Sequence, residues 1–211
     1  MKKNQLKNLE KLLIINKEAF RQFEKNEESL NFNIKYWTKK DILIRIKKGE
    51  YLLRSRLEKE DDKQAYLEYI ANKLYEPSYL SCEYVMDKYG LLTEGVFALT
   101  SATTKKTKTF NNKLGRFVYY SLSSTLFLGY TIKKTSLANI FIASKTKAVF
   151  DYLYLRFFKK TPINEKNIEE LRINWENLNK KEFLEIKKYG KISKSKRIGE
   201  VINLIFKKYY A

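Results

Sequence analysis

Apolar side chains recur at helical spacing over the first forty residues of this chain and then switch to strict alternation. Leu6, Leu9, Leu12 or Leu13 and Ile14 predict an amphipathic helix over 3–15. A second helix is expected over 17–25, with Ala19, Phe20 and Phe23 turned inward. Over 27–40, Leu30, Ile34 and Trp37 fall at i, i+4 and i+7 on one stripe. That spacing leaves Phe32, Lys35, Tyr36 and Lys39 on the opposite face. From Ile42 to Leu53 the period drops to two around Lys47-Lys48-Gly49, which predicts a β-hairpin with a basic tip. Three helices followed by such a hairpin is the element order of a winged helix-turn-helix.

Further along, residues 60–74 read as a helix that stops before Pro77. Ser78 to Ser81 is strand-like or a helix entry, with Ser81 able to cap a helix over 82–89 that ends at Gly90. Strands are expected over 94–102 and 116–121, joined by a loop over 103–109, and again over 127–132 and 138–142. A helix over 146–158 buries Ala148, Val149, Tyr152, Leu153 and Leu155, and three more helices fill 167–210. The fold class expected is α+β. An N-terminal winged helix-turn-helix over 1–58 precedes a mixed α/β C-terminal domain over 59–211, with a small sheet and terminal helices. The acidic run Glu58-Lys59-Glu60-Asp61-Asp62-Lys63 marks the boundary.

Charge sharpens this picture. The 43 Lys and Arg outnumber 24 Asp and Glu, a net +19, and the excess is uneven. Residues 1–56 carry +8, residues 57–100 carry −5 and residues 101–160 carry +11. A basic block, an acidic stretch and a second basic block is the pattern of a DNA-binding module joined to another domain. In a helix-turn-helix the recognition helix enters the major groove, while lysines at its end and on the hairpin tip neutralise phosphates. The candidate DNA contacts are therefore Lys35, Tyr36, Lys39 and Lys40 from the third helix and Arg45, Lys47 and Lys48 from the hairpin. The competing reading is a solvated surface on a lysine-rich protein, whereas Ile34 and Trp37 belong to a core.

The chain has no histidine and one cysteine, Cys82, which excludes histidine triads, histidine-bound zinc, disulfides and thiolate clusters. No GxGxxG or GxxxxGK[ST] loop occurs. Asp151 is a lone carboxylate in the most basic segment, where a structural ion pair is the default expectation. No enzymatic activity, metal or cofactor is expected. The opening residues are amphipathic, unlike a signal peptide, and the longest apolar window, 122–132, falls short of the ~20 residues of a membrane span. A cytoplasmic protein with a reduced Cys82 is expected.

Several separated blocks, in order, resemble the AbiEi family of antitoxins. They are Tyr69-Ile70-Ala71-Asn72-Lys73-Leu74, Pro77 to Ser81, Tyr89-Gly90-Leu91, Thr100 to Thr107, Gly115-Arg116-Phe117 and the stretch from Ala143 through Leu155. The resemblance runs over residues 42–156. It implies a transcriptional regulator of a type IV toxin–antitoxin, or abortive-infection, system. Such a protein represses its own promoter by binding inverted repeats in double-stranded DNA. Its C-terminal domain counteracts a nucleotidyltransferase-like toxin encoded nearby, without a stable complex. The chain departs from the family pattern at Asp41, where glycine is common, and at Lys145-Thr146, where the family carries Pro-Glu.

The block from Thr100 to Thr107 is rich in hydroxyls and lysines. Thr100, Ser101, Thr103, Thr104, Lys105 and Lys106, extended by Arg116, form a candidate antitoxicity or phosphate-contact patch. The alternative is a polar loop whose threonines satisfy turn groups. Two other functions stay open: a solitary DNA-binding regulator without a toxin, and a nucleic-acid-processing enzyme.

Overall fold

The computed structural model describes residues 3–159 and 161–211. The N-terminal part runs α1 (Lys3–Lys7), β1 (Ile15–Asn16), α2 (Lys17–Arg21), α3 (Glu27–Lys39), β2 (Leu43–Lys47) and β3 (Glu50–Leu53). The first helix is shorter than the periodicity predicts. Ile15 pairs with Tyr51 across β1 and β3, so the chain is drawn out into a strand before the helix can continue. Asn16 and Asn26 cap α2 and α3 through their side-chain oxygens, each accepting a backbone N–H at 2.9 Å. The three strands form a sheet in the order β1-β3-β2.

Between α3 and β2 the chain turns through Asp41 at φ 59°. That region is open to glycine and tolerated by aspartate, so Asp41 holds the turn. The Asp41 carboxylate accepts Arg54 and, at 2.6 Å, Lys113, and these partners hold it below the usual carboxylate range. Asp41→Ala keeps the left-handed backbone but removes both compensations. Its thermal midpoint should fall about 2–4 °C below those of the wild type and of Asp41→Gly; an alanine variant as stable as glycine would refute this.

The hairpin is buried on both faces. Leu43, Tyr51 and Leu53 join Leu6, Phe20 and Leu30 in a small N-terminal core. Ile44, Ile46 and Leu52, pointing the other way by strand alternation, belong to the large core of the rest of the chain. Asn112 donates to the Ile46 carbonyl at 3.0 Å, tying the hairpin to the second sheet. The boundary expected at residue 58 falls at the end of α4 (Arg54–Glu58), but hydrophobic burial does not divide there.

After α5 (Lys63–Leu74) come β4 (Ser78–Leu80), α6 (Glu83–Lys88), β5 (Ala98–Thr103), β6 (Lys108–Asn112) and β7 (Gly115–Ser121). Then follow β8 (Tyr130–Lys134), β9 (Asn139–Ala143), α7 (Lys145–Phe157), α8 (Glu165–Glu169), α9 (Lys180–Ile192) and α10 (Lys196–Tyr209). The sheet order is β6-β7-β5-β4-β9-β8. Pairing is parallel between β5 and β7 and between β4 and β9, and antiparallel elsewhere. This mixed α+β architecture agrees with the expected class, but six strands make a larger sheet than expected. The added strand is β6, which begins inside the expected 103–109 loop. It is a polar edge strand in which only Phe110 and Asn112 are half-buried, so it carries little apolar alternation. At α6 the residue in the cap position is Cys82, at φ 55°, and not Ser81, whose hydroxyl is engaged elsewhere.

Helix α7 starts at its Ser144 cap, which puts Lys145 and Thr146 in its first turn. Among the described residues, no helix is long and apolar enough to cross a membrane.

Candidate nucleic-acid interface

The outer face of α3 carries Lys35, Tyr36 and Lys39, all exposed, with Lys40 exposed at the helix end. Leu30 and Ile34 are buried on the inner face, as the stripe predicts. At the hairpin, Arg45 and Lys48 are exposed, and Gly49 at φ 80° makes the tight turn that presents them. Lys47 is different. Its ammonium pairs with Glu50 at 2.8 Å and donates to the Leu74 carbonyl at 3.1 Å, so it stitches the hairpin to α5.

Ion pairing separates these cations from their neighbours. Among the described residues, Lys35, Lys39, Lys40 and Lys48 have no carboxylate within ion-pair distance, whereas Lys17, Arg54, Arg56 and Lys59 each have one and Arg21 has two. Glu27, at the start of α3, is itself neutralised by Arg21 and Lys17, which draw its carboxyl down to about 2. The positive field of the α3 face and hairpin tip is therefore not cancelled locally. Tyr36 packs edge-on against Trp37, ring centroids 4.9 Å apart, so its ring is held in place on that face.

Sequence reasoning missed Lys113. It lies in the β6–β7 turn and reaches Asp41, next to Lys40, so a residue of the second sheet borders the α3 face. The +11 charge of residues 101–160 was a regional signal only, because no spacing in the sequence says where a β-turn will dock.

The second expected patch is split by the fold. Thr100, Ser101 and Thr103 are buried in β5, not in a loop. Thr100 donates to the Ser81 carbonyl and Thr103 to the Pro77 carbonyl, both at 2.6 Å, so these hydroxyls knit the sheet together. Thr104, Lys105 and Lys106 are exposed. Arg116 does not sit beside them. In the parallel pairing of β5 with β7 it lies opposite Ala98, five residues from the Thr103–Ser121 end that carries the loop. At the strand rise this separates them by roughly 16 Å. Arg116 instead lies at the end of β7 next to the Lys113 turn.

Two further polar clusters lie in the C-terminal part. A cleft of about 550 Å³ is bordered by Lys88, Lys133 and Lys145. Lys88 and Lys133 share the buried Glu68 carboxylate, and Lys145 pairs with Glu182 at 3.1 Å. Its cations are largely compensated, unlike those on α3. Deeper in, Lys147 and Asp151 form a fully buried ion pair one turn apart on α7, with Tyr79 and Ser81 donating to Asp151. Burial pushes the Asp151 carboxyl up against these donors, and also raises the thiol of the enclosed Cys82.

Among the described residues, the solvent-facing lysines of α3 and the hairpin tip are one set of cations without an ion pair, and Lys105, Lys106, Lys134, Lys188, Lys191 and Lys194 are others. No protein-family model matches the chain, and no curated protein does.

Proposed function

We propose that this chain is a DNA-binding transcriptional regulator whose residues 1–58 act as a winged helix-turn-helix. In this reading it represses its own promoter by binding inverted repeats. It is also the antitoxin of a type IV toxin–antitoxin system, counteracting a nucleotidyltransferase-like toxin in the cytoplasm without a stable complex. The observation that carries the DNA-binding half is the set of unpaired lysines on the exposed face of α3 and the hairpin tip. The order α1-β1-α2-α3-β2-β3, with its three-stranded sheet, supports the winged-helix reading. The antitoxin half is supported by the resemblance over residues 42–156.

Lys35, Lys39, Lys40, Arg45 and Lys48 each neutralise one phosphate in this reading, so the logarithm of affinity falls with that of salt at a slope of about −4 to −5 per bound chain. The test is a titration of the full chain against the DNA upstream of its own coding sequence and against a scrambled duplex, at physiological salt. Preference for the upstream DNA by ~10³-fold or more is expected. The double variant Lys39→Glu, Lys48→Glu should weaken binding to both duplexes and flatten the salt slope by about 2. Equal affinity of the wild type for both duplexes refutes the repressor. Rescue of growth when the chain is co-expressed with a neighbouring nucleotidyltransferase separates an antitoxin from a solitary regulator.

A further inference from the structure

Helix α3 carries an exposed aromatic residue at the N-terminal end of its row of exposed lysines. Phe32 is 70% exposed. It precedes Lys35, Tyr36 and Lys39 by three, four and seven residues, which places all four on one stripe of the helix. Leu30 and Ile34 fill the core from the other face, so the Phe32 ring has no packing role to explain it. A single exposed phenylalanine is ordinary on a protein surface. Its setting is the informative feature. Glu28 stands one turn before it and the unpaired Lys35 one turn after, with Lys39 and Lys40 a further turn on, so toward the end of the helix the ring adjoins positive charge, and the occupant that fits is an anion offering an apolar group.

The major groove of DNA offers both, with phosphates along its walls and the thymine 5-methyl group on its floor, a group that phenylalanine contacts. We infer that Phe32 is a specificity-determining residue that contacts a thymine methyl group, so that the preferred DNA carries thymine facing the middle of α3. This rests on the DNA-binding reading above and adds to it which base the helix selects.

The experiment uses the full chain and a pool of 40-bp duplexes with a randomised 20-bp centre. The sequence that the wild type enriches is resynthesised once with thymine and once with deoxyuridine, which lacks only the methyl group. The wild type should bind the deoxyuridine duplex ~4-fold more weakly for each methyl that Phe32 covers. Phe32→Ala, at an exposed position, should bind the two duplexes equally, and Phe32→Leu should restore the preference. Equal binding of both duplexes by the wild type, or a preference that survives in Phe32→Ala, overturns the inference while leaving DNA binding standing. Failure to enrich any sequence overturns the DNA-binding reading and this inference with it. Self-association of the wild type without DNA, abolished in Phe32→Ala, would assign the ring to a contact between copies and overturn the inference as well.

Discussion

Replacing Lys147 with methionine should cost the folded chain about 3–5 kcal/mol, the usual price of removing one partner from a buried ion pair. Lys147 and Asp151 are both fully buried on α7. One Asp151 oxygen takes the Lys147 ammonium, and the other accepts the Tyr79 hydroxyl at 2.9 Å and the Ser81 hydroxyl at 2.7 Å. The ammonium lies 5.2–5.6 Å from the ring centres of Tyr79, Phe150 and Tyr189. Methionine approximates the shape of the lysine stem but leaves an anion in an apolar interior. Burial already raises the Asp151 carboxyl, and loss of Lys147 raises it further.

The sign follows from linkage. Above the carboxyl's ordinary value of 3.8, the folded variant holds a proton that the unfolded chain has lost, so its stability rises as pH falls and is lost as pH climbs through the raised value. Urea unfolding should therefore show a smaller deficit for Lys147→Met at pH 5 than at pH 8. Adding Asp151→Asn should recover part of the loss. A deficit under about 1 kcal/mol, or one that does not change with pH, would be that of a solvated pair and would contradict the buried geometry.

Residues 1–58 expressed alone should not fold. The excised piece would expose Ile44, Ile46 and Leu52, each buried in the large core. At about 1.5–3 kcal/mol per side chain this forfeits about 5–9 kcal/mol, which is comparable with the whole stability of a typical domain, about 5–15 kcal/mol. The bonds from Asn112 to Ile46, Lys47 to Leu74 and Lys113 to Asp41 are lost as well. Circular dichroism and amide NMR should show an unfolded or aggregating peptide. A dispersed spectrum would establish an autonomous module ending at residue 58. If the peptide fails as expected, DNA binding has to be measured on the full chain.

Much of the candidate interface was legible in the sequence. The i, i+4, i+7 stripe of Leu30, Ile34 and Trp37 decided which face of α3 would be solvent-exposed, and so where Lys35, Tyr36 and Lys39 would stand. Alternation from Ile42 to Leu53, broken at Lys48-Gly49, located the hairpin turn. Both signals are local, because a helix face repeats within four residues and a tight hairpin closes within a few.

What these local signals did not show depends on the folded chain. Lys47 resembles its neighbour Lys48 in sequence, but its ammonium reaches nearby Glu50 and the Leu74 carbonyl, 27 residues on. Arg116 looked adjacent to the 104–107 loop in sequence, and the parallel pairing of β5 with β7 carried it to the other end.

The sequence by itself determined the α+β class, the helices α3, α5, α7, α9 and α10, the hairpin, and the basic character of α3's outer face, all from short-range periodicity and charge. Tertiary structure alone decided the order β6-β7-β5-β4-β9-β8, the burial of Thr100, Ser101 and Thr103, the sharing of one hairpin between two cores, and the arrival of Lys113 beside Asp41. The physical reason is that a side chain's preference for water or core is set by its own chemistry and near neighbours. Which strand it pairs with, and which cation stays unpaired, depend on contacts between residues tens of positions apart, and these exist only once the chain has closed on itself.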